Sequence, residues 1–569
     1  MNFSIIKSDG TIDENQPIKF GSRVKCIMDE ELSRFSLYNI DNVPLKKYPV
    51  FNSNETALLD LFVGTTYKDL KEKMPQDSLK SNIEYLIDKG FFMAEKDPLG
   101  YTKEFRNTYN KRYFELSPEI LCDLEQKLEE YNANPNIPWS CFRPHPKAPN
   151  IEVSLLITDM CNLKCTYCHV LDNVDSKAGH SVGKIMDEKT LHDFAQVFFD
   201  YIKIRYGTGR LTVVFFGGQP SLKGKVRDML HKAADYLSKE AARQKIYIVF
   251  KIDDNGTQID DQIIELYKKY NFRVSISFDP PMDVNSIQRS FINPHLNSGT
   301  VVDEGIRYLL ANGINLGMRA TVSNLNQQHI VKSISYYAKL GLRCASFIPM
   351  QDVTHGKKVT EVSAPEPSIL FEEYKRAFEY VLELYEKDGI IFELGPVTSI
   401  ISSIVKGGRI QSCGMGDIYF AVNTSGEVFT CHRDLISEFY VAHVSEDDFL
   451  NKMFNIPINQ TCPTVYTYFD PEIYCSSMDC SCKKDLPQNC SNCDVLAFCG
   501  GLCPGASFAH YGCLNHGASE LLDSDPCNAE NKCKWSKELI KYFFWKYINS
   551  KEDSMFYRYT VDLLGGKVK

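Results

Sequence analysis

The sequence predicts an α/β protein whose largest part is a partial (β/α)6 barrel, with a winged-helix-like domain before it and a cysteine-rich domain after it. Three observations support this prediction. Six apolar strand-like runs alternate with helical patterns between residues 150 and 405. Short helical patterns precede a strand-like run within residues 1–145. Of the 20 cysteines, thirteen fall between Cys413 and Cys533.

Residues 1–145 are predicted to form the winged-helix-like domain. ETALLDLF is followed by TYKDLKEKM and then by SNIEYLIDKGFFM, a pattern that predicts three short helices leading into a strand. Ser117 precedes Pro118 and predicts a capped helix over SPEILCDLEQKLEEY. The stretch ANPNIPWSCFRPHPKAPN is rich in Pro and Asn, which predicts a linker to the next domain.

The region 150–405 is predicted to form a parallel sheet closed into a barrel or partial barrel. Its strand-like runs are IEVSLLI, LTVVFF, KIYIVFKI, RVSISF, INLGMRATV and CASFIPM. Most are separated by helical patterns, so right-handed crossovers are expected. Reactive groups of such a barrel lie at the carboxyl ends of its strands. Chemically distinctive residues follow the first four runs: the cysteines at 161–168, then 217–220, 254–256 and 277–280.

The sequence ITDMCNLKCTYCHV has the spacing C-x3-C-x2-C, with Cys161, Cys165 and Cys168. Thiolates are the usual ligands of iron–sulfur clusters. Three cysteines hold three irons of a cubane cluster and leave the fourth open to bind a substrate. A zinc site is the alternative, but it requires a fourth ligand, and His169 adjoins Cys168 too closely to serve well.

The region 410–535 is rich in Cys, Gly and turns, so it buries little apolar surface and is expected to be held together by metal clusters. Cys413 and Cys431 flank Asn423–Gly426, which predicts a hairpin turn that brings these two cysteines near each other. The second group is Cys490, Cys493, Cys499 and Cys503, followed by Cys527 and Cys533. Residues 536–569 are predicted to carry a C-terminal amphipathic helix.

The composition narrows the class of protein. The net charge of -9 argues against a general nucleic-acid binder. No apolar run reaches the roughly 18–20 residues that span a bilayer, so no membrane insertion is expected. The start MNFSIIKSDG has no signal-peptide pattern, so a cytoplasmic location is expected. A reducing compartment makes metal binding a better explanation of the cysteines than disulfides, which are the alternative.

The cysteine motif resembles the signature of the radical S-adenosylmethionine (SAM) superfamily, including the aromatic Tyr167. The resemblance implies that one 4Fe–4S cluster binds SAM through its open iron. GGQP (217–220) resembles the family's GGEP motif, with Gln219 in place of Glu. By this resemblance the SAM site includes Tyr167, Gly217, Gly218, Gln219, Asn255, Ser277 and Arg289, with residue 219 receiving the SAM ammonium and Arg289 facing the SAM carboxylate or the substrate.

The cysteine-rich region resembles the SPASM domain of radical SAM enzymes. The resemblance implies two auxiliary 4Fe–4S clusters, hence three clusters in all. The first would use Cys413, Cys431 and Cys503, and the second Cys490, Cys493, Cys499 and Cys527, with Cys533 as the alternative to Cys527. The first has no further cysteine soon after Cys413, so it either keeps an open iron or takes its fourth ligand from Cys462, Cys475, Cys480 or Cys482.

These resemblances imply a peptide maturase that acts on a ribosomally made precursor peptide. The winged-helix pattern resembles the peptide-recognition domains fused to such maturases, which implies that the N-terminal domain binds the leader as an added strand. The alternative is an extension that only stabilises the fold. Flavodoxin or ferredoxin would be the reductant. The product would be a thioether, carbon–carbon or carbon–oxygen crosslink. The alternatives are a sulfatase-type maturase that forms formylglycine and, outside enzymes, an iron–sulfur electron carrier or a peptide-binding module. Asp279, His432 and Asp434 are candidates for a general base, and none is assigned.

Overall fold

The computed structural model describes most of the chain from residue 117 onward. The described residues are 117–168, 183–350, 353–354, 357–358, 362–409, 411–433, 435–463, 465, 490, 493–501, 503–511, 514 and 529–565, and before residue 117 the strands given next.

Six short strands are described before residue 117, in two three-stranded antiparallel sheets of order β5-β1-β6 and β2-β3-β4. They are β1 (Pro17–Phe20), β2 (Val24–Asp29), β3 (Arg34–Asn39), β4 (Val50–Asn52), β5 (Thr65–Thr66) and β6 (Phe92–Ala94). Strand β6 confirms the strand predicted after the helical patterns. The three predicted helices themselves lie outside the described residues, so the winged helix stays a prediction.

The capped helix predicted before the barrel is confirmed as α1 (Pro118–Ala133). The Ser117 hydroxyl accepts a hydrogen bond from the Glu119 N–H at 3.2 Å, and Pro118 occupies the first turn, where a missing N–H costs nothing. The linker predicted after it is packed against the barrel. Trp139 is buried, stacks on Tyr247 and donates from its indole N–H to the Ile246 carbonyl at 2.7 Å.

All six predicted barrel strands are confirmed, and they pair in chain order as neighbouring parallel strands. They are β7 (Asn150–Leu155), β8 (Arg210–Phe215), β9 (Tyr247–Asp254), β10 (Arg273–Ser277), β11 (Leu316–Val322) and β12 (Cys344–Pro349). The helices between them are α2 (Glu188–Tyr206), α3 (Lys225–Arg243), α4 (Asp261–Lys269), α5 (Met282–Gln288), α6 (Ser298–Ala311) and α7 (Ile330–Lys339). Their apolar faces and the strands form one buried core.

The barrel sheet continues beyond these six strands at both edges. Two short strands, β13 (Val353–Thr354) and β14 (Lys357–Lys358), pair separately, while β15 (Glu393–Gly395) joins β12 in parallel. At the other edge β16 (Tyr419–Val422) pairs in parallel with β7, and β17 (Glu427–Phe429) and β18 (Tyr440–His443) follow antiparallel. This confirms the predicted hairpin at 423–426 and shows that the cysteine-rich region begins as part of the barrel sheet.

Most of the remaining described helices pack against one another beyond β15, whereas Phe449–Phe454 packs on β18 and on Phe198 of α2. They are α8 (Pro367–Asp388), α9 (Val397–Val405), α10 (Phe449–Phe454), α11 (Leu496–Cys499), α12 (Pro504–Tyr511), α13 (Ala529–Ile548) and α14 (Met555–Leu563). Helix α13 confirms the predicted C-terminal helix and packs its buried Phe543 edge-on against Phe378 of α8. It begins before the predicted boundary at 536, so Cys533 lies within the helix. None of the described helices combines the length and the apolar character that a membrane span requires.

Candidate active site and cysteine clusters

The loop that carries Cys161, Cys165 and Cys168 leaves the carboxyl end of β7 and is held by the segment that follows α5. The Lys164 N–H donates to the Ser290 carbonyl at 2.8 Å, and the Thr166 N–H donates to the Gln288 carbonyl at 2.9 Å. The Ile292 N–H donates to the Asn162 carbonyl at 3.1 Å. The loop after β7 is therefore fixed by a strand-like pairing with the segment at the end of α5 and after it. The cysteines lie at the end of the barrel where reactive groups were predicted.

The sulfur of Cys161 is approached by two N–H donors. The Leu163 N–H lies 3.4 Å from this sulfur, and the Asn255 amide nitrogen lies 3.9 Å from it and 2.9 Å from the Asn162 side-chain oxygen. Hydrogen bonds to cysteine sulfurs tune the potential of iron–sulfur clusters. The structure thus brings Asn255, which the sequence placed at the SAM site, next to the cysteine loop.

The loop brings its three thiols near enough to one another for their charges to interact, and thiolates are the usual ligands of iron–sulfur clusters. Burial raises the pKa of the Cys161 thiol, and for Cys165 the effect of burial outweighs the opposing effect of the Arg289 charge. Cluster binding would remove both protons. In the part of the chain that the structure describes, no three His, Cys, Asp or Glu side chains form a site for a single metal ion, and no cysteine forms a disulfide.

The two glycines of the 217–220 motif are required by the chain's own backbone. Gly217 and Gly218 have φ of 80° and 52°. A Cβ on Gly218 would lie 2.5 Å from the Met160 carbonyl oxygen, and one on Gly217 would lie 2.5 Å from the Leu156 side chain. The two glycines therefore allow the loop after β8 to approach the segment 156–160, which leads into the cysteine loop.

Gln219 is buried in a network of polar groups. Its amide nitrogen donates to the Ser221 hydroxyl at 2.6 Å and to the Asp254 carboxylate at 2.8 Å. Its amide oxygen accepts the Asn255 N–H at 3.0 Å. The side chain therefore links the loops after β8 and β9. Its contact with the SAM ammonium stays a prediction.

Arg289 forms a buried ion pair with Asp279. Its Nε lies 3.0 Å from Asp279 Oδ2, its Nη2 donates to Oδ1 at 3.2 Å, and its guanidinium lies 5.3 Å from the centre of the Tyr167 ring. Burial raises the pKa of the Tyr167 hydroxyl well above its usual value, so Tyr167 stays protonated and donates to Asp279. These contacts tie the cysteine loop to β10. Ser277 is half-buried at the end of β10, paired in register with Arg319.

The face of the barrel sheet that lies away from the outer helices carries charge pairs that the sequence patterns had not predicted. Lys251 lies 2.6 Å from Glu152, and Arg319 lies 3.2 Å from Asp253. These residues alternate with buried apolar residues along β7, β9 and β11, so they face away from the outer helices. The sequence does carry an indication of these charge pairs, because charged and apolar residues alternate in KIDD and LGMRATV. A barrel filled with apolar side chains would not show this alternation.

His432, next to Cys431 in the chain, contacts Tyr419 and lies edge-on to Phe216 at the end of β8. Tyr419 is hydrogen-bonded to His432 Nδ1 and also lies 2.6 Å from the Ser154 hydroxyl, oxygen to oxygen. Burial lowers the pKa of His432 to about 3, and the Arg319 and Arg433 charges add to this effect, so the ring is neutral. Of the other candidate bases, Asp279 forms an ion pair with Arg289. Asp434 lies outside the described residues.

The first group of auxiliary cysteines includes a contact with Cys462. The Cys413 and Cys462 thiols are hydrogen-bonded, and Cys503 is near enough to Cys413 for their charges to interact. Cys431 and Cys462 belong to one small apolar cluster with Met415 and Phe429. Cys475, Cys480 and Cys482 lie outside the described residues.

The second group packs against the main core. Cys490, Cys493 and Cys499 lie at the edge of this core. Cys533, on α13, is near enough to Cys493 and Cys499 for electrostatic interaction. Asp494 receives ion pairs from Lys537 and Lys541 of the same helix, which hold α13 against this loop. Cys527 lies outside the described residues.

Comparison with known proteins places the barrel in a described family. The model of the radical SAM superfamily matches residues 155–355. A cysteine-type anaerobic sulfatase-maturating enzyme of Clostridium novyi (strain NT) is 24% identical over 363 residues, which cover 62% of this chain and 88% of that protein. The radical SAM cyclopropyl synthase TigE of Paramaledivibacter caminithermalis is 22% identical over 391 residues, 65% of this chain and 71% of that protein.

The fold is also that of a solved structure. Native anSMEcpe with bound AdoMet and Cp18Cys peptide superimposes with a TM-score of 0.52 at 18% identity, covering 70% of this chain and 98% of that chain. At this identity the likeness shows the fold alone.

Proposed function

Since this chain belongs to the radical SAM superfamily, we propose that it is a maturase that cleaves SAM and modifies a ribosomally made precursor peptide. The observation that carries the proposal is the cysteine loop at the carboxyl end of β7, tied to the loops after β8, β9 and β10. A cluster held by this loop would bind SAM and would supply the one-electron reductive cleavage of SAM by which a hydrogen atom is removed from the peptide. Flavodoxin or ferredoxin is the proposed reductant.

The chain's own residues fix the geometry of that reaction. Cys161, Cys165 and Cys168 would hold three irons and leave the fourth to SAM. Asn255 donates toward the Cys161 sulfur, and the Asp279–Arg289 pair holds Tyr167 between the last two cysteines. Gly217, Gly218, Gln219 and Ser277 lie at the ends of β8 and β10 and are proposed to line the SAM site with them.

A peptide substrate is supported by the relatives and by the charge pairs on the face of the barrel sheet that lies away from the outer helices. The relatives include sulfatase-maturating enzymes, and the solved structure holds a peptide together with AdoMet. In this chain the charge pairs Lys251–Glu152 and Arg319–Asp253 are only partly buried. Such groups offer donors and acceptors to a peptide backbone and its polar side chains. The proposed product is a crosslink within the peptide.

The N-terminal strands are proposed to bind the leader of the precursor peptide. The sheet β2-β3-β4 has two edge strands, and an extended peptide can add to such an edge through backbone hydrogen bonds. A leader held there raises the effective concentration of the rest of the peptide at the barrel.

Two auxiliary 4Fe–4S clusters are proposed for the cysteine-rich region. Cys413, Cys431 and Cys503 would hold the first, and Cys490, Cys493 and Cys499 the second. The nearness of Cys533 to Cys493 and Cys499 supports Cys533, rather than Cys527, as the fourth ligand of the second cluster.

A sulfatase-type maturase that oxidises Cys or Ser to formylglycine is the second candidate function. It is supported by the Clostridium novyi relative, of which this chain covers 88%. The two functions share the SAM chemistry and differ in the peptide product.

The proposal is tested with the anaerobically reconstituted full chain, a reductant, SAM and a peptide encoded by a short reading frame beside the gene. We expect release of 5′-deoxyadenosine and methionine, and a peptide that has lost two hydrogens per event and does not react with hydrazides. A hydrazide-reactive product would indicate formylglycine instead. The control is the Cys161→Ala/Cys165→Ala/Cys168→Ala variant, which should release no 5′-deoxyadenosine. Absence of SAM cleavage by the reduced full chain would contradict both functions.

A further inference from the structure

We infer that Cys462 is the fourth protein ligand of the first auxiliary iron–sulfur cluster, which it completes together with Cys413, Cys431 and Cys503. The inference rests on the proposed function, because it assumes that the cysteine-rich region binds clusters. With Cys462 as a ligand, the first auxiliary cluster has no open iron, which the lack of a further cysteine soon after Cys413 would otherwise allow. The cluster would then act without direct coordination of the peptide.

The first argument is the position of the Cys462 thiol. It is buried, hydrogen-bonded to the Cys413 thiol, and 3.4 Å from the Ser412 hydroxyl. Cys503 lies near enough to Cys413 to interact with it electrostatically. Cys462 and Cys503 are thus both neighbours of Cys413, which the resemblance assigns to the first auxiliary cluster.

The second argument is that the backbone holds the two segments together. The Cys462 N–H donates to the Met415 carbonyl at 2.9 Å. Gly416 has φ of 70°, and a Cβ there would lie 2.8 Å from the Gln460 carbonyl oxygen and 3.0 Å from the Thr461 side chain. Only glycine allows this approach. The contact between Cys413 and Cys462 is therefore built into the turn at 414–416.

The third argument connects Cys462 to Cys431. Both are buried in the apolar cluster that also contains Leu156, Met415 and Phe429. The hairpin of β16 and β17 carries Cys431 to this cluster, and the Met415 carbonyl holds Cys462 there. Ligation would replace the Cys462 S–H bond by a sulfur–iron bond and release the proton to solvent, with no electron transferred.

The inference is tested by spectroscopy in the Cys161→Ala/Cys165→Ala/Cys168→Ala background, where only auxiliary clusters contribute. Iron and sulfide content and the EPR spectrum after reduction are measured for this protein and with added Cys462→Ala or Cys462→Ser. We expect Cys462→Ala to lose or alter one of two cluster signals and leave the other unchanged, and Cys462→Ser to keep the iron with shifted g values. Cys344→Ser, on β12, is the matched control and should change neither.

A second measurement keeps the test decisive if Cys462→Ala retains its iron. Cyanide should shift the EPR signal of Cys462→Ala protein that retains its cluster, because an iron has been opened, and should not shift the signal when Cys462 is present. Unchanged iron content and spectra in both Cys462 variants would overturn the ligand assignment and leave the maturase proposal standing. A background protein that binds no cluster would instead overturn the auxiliary clusters themselves. A Cys413–Cys462 disulfide in anaerobically prepared protein would also overturn the assignment.

Discussion

Gln219 occupies a position where a second carboxylate would be unfavourable. Its amide nitrogen faces the Asp254 carboxylate at 2.8 Å, and Asp254 is buried and accepts further hydrogen bonds from the Tyr267 hydroxyl at 2.5 Å and the Gly256 N–H at 2.7 Å. Like charges at such a distance in a buried site repel strongly. An amide at residue 219 supplies the donor that Asp254 needs, which gives a physical reason for Gln in place of the family's Glu.

Substitution Gln219→Glu should therefore lower the free energy of unfolding by about 1–3 kcal/mol near neutral pH, because it removes a buried donor and adds a like charge. The loss should shrink in mild acid, where protonation of the introduced carboxyl relieves the repulsion. Denaturant unfolding of the cluster-free protein at the two pH values measures both effects. Gln262→Glu, at an exposed position of α4, is the control and should change stability little. Equal losses of unfolding free energy in Gln219→Glu and Gln262→Glu would contradict the proposed repulsion between residue 219 and Asp254.

The Asp279 carboxylate holds together parts of three loops. It pairs with Arg289 and accepts hydrogen bonds from the Thr321 N–H at 2.7 Å and the Gln288 amide at 2.8 Å, besides Tyr167. Removing one partner of a buried ion pair leaves the other charge uncompensated.

Asp279→Ala should lower the free energy of unfolding by about 3–5 kcal/mol. It should also reduce iron retention at the cysteine loop, because Tyr167 lies between Cys165 and Cys168. Unfolding curves and iron content of a reconstituted variant that lacks the auxiliary cysteines report the two effects separately. Asp283→Ala changes an exposed carboxylate of α5 and should leave both quantities near their original values. If Asp279→Ala had the same unfolding free energy and iron content as Asp283→Ala, the ion pair with Arg289 would not have the stabilising role given to it here.

At the scale of elements, the caps and charges of the barrel helices fix the loops that carry the site. Asp260 caps α4 by accepting the Ile263 N–H at 3.2 Å, and both of its oxygens accept from Arg227 of α3 at 2.7 Å. Burial would raise the pKa of Asp260, but the hydrogen bonds from Arg227 and Lys223 outweigh it and lower the pKa to about 2. The pair joins α3 to the loop after β9, which carries Asn255.

Asp260→Ala should cost about 2–4 kcal/mol near neutral pH, since it removes a cap and leaves the buried Arg227 without its carboxylate. The folded-state pKa is below the unfolded value, so the stabilisation is present above about pH 4 and is lost as the pH falls toward 2. The unfolding free energies of Asp260→Ala and of the unmodified protein should therefore converge as the pH falls through this range. Asp187→Ala, at the cap of α2, is the control and should cost only about 1 kcal/mol. A difference in unfolding free energy between Asp260→Ala and the unmodified protein that stays the same at every pH would contradict the role given to Asp260.

At the scale of the whole molecule, the region before the barrel is attached through buried contacts. Trp139 is 1% exposed and stacks on Phe142 as well as Tyr247, with ring centres 5.2 Å and 5.9 Å away. Asp123 of α1 accepts a hydrogen bond from the Tyr247 hydroxyl. Residues 117–149 thus form part of the barrel's packing.

Trp139→Ala should destabilise the full chain by about 3–5 kcal/mol through the cavity that it leaves. Trp139→Phe keeps the stacking but leaves the Ile246 carbonyl without its indole donor, so it should cost about 1–2 kcal/mol. Chemical unfolding of the two variants against the unmodified chain measures the difference. Small and equal losses of unfolding free energy in both Trp139 variants would contradict the packing of residues 117–149 as part of the barrel.

Deletion of residues 1–116 should separate leader binding from SAM cleavage. The deletion ends before the Ser117 cap, so α1 and Trp139 stay in place. We expect 5′-deoxyadenosine formation to persist and modification of sub-saturating precursor peptide to fall about a hundredfold, because the effective concentration supplied by the leader is lost. The full chain with a leaderless peptide is the matched control. Equal modification by the truncated and full chains would contradict the leader-binding proposal.

The sequence by itself determined the barrel strands, the cysteine loop after β7, the hairpin at 423–426 and the capped helix at 118. Each depends on local information: the length of apolar runs, cysteine spacing, turn residues and a Ser-Pro cap. The tertiary structure alone decided which side chains meet across the chain. It joined Gln219 to Asp254, Arg289 to Asp279, Cys462 to Cys413 and Cys533 to Cys493, and it packed Trp139 on Tyr247. These contacts join residues distant in sequence, and no local pattern encodes them, because they depend on how the strands and loops are placed in space.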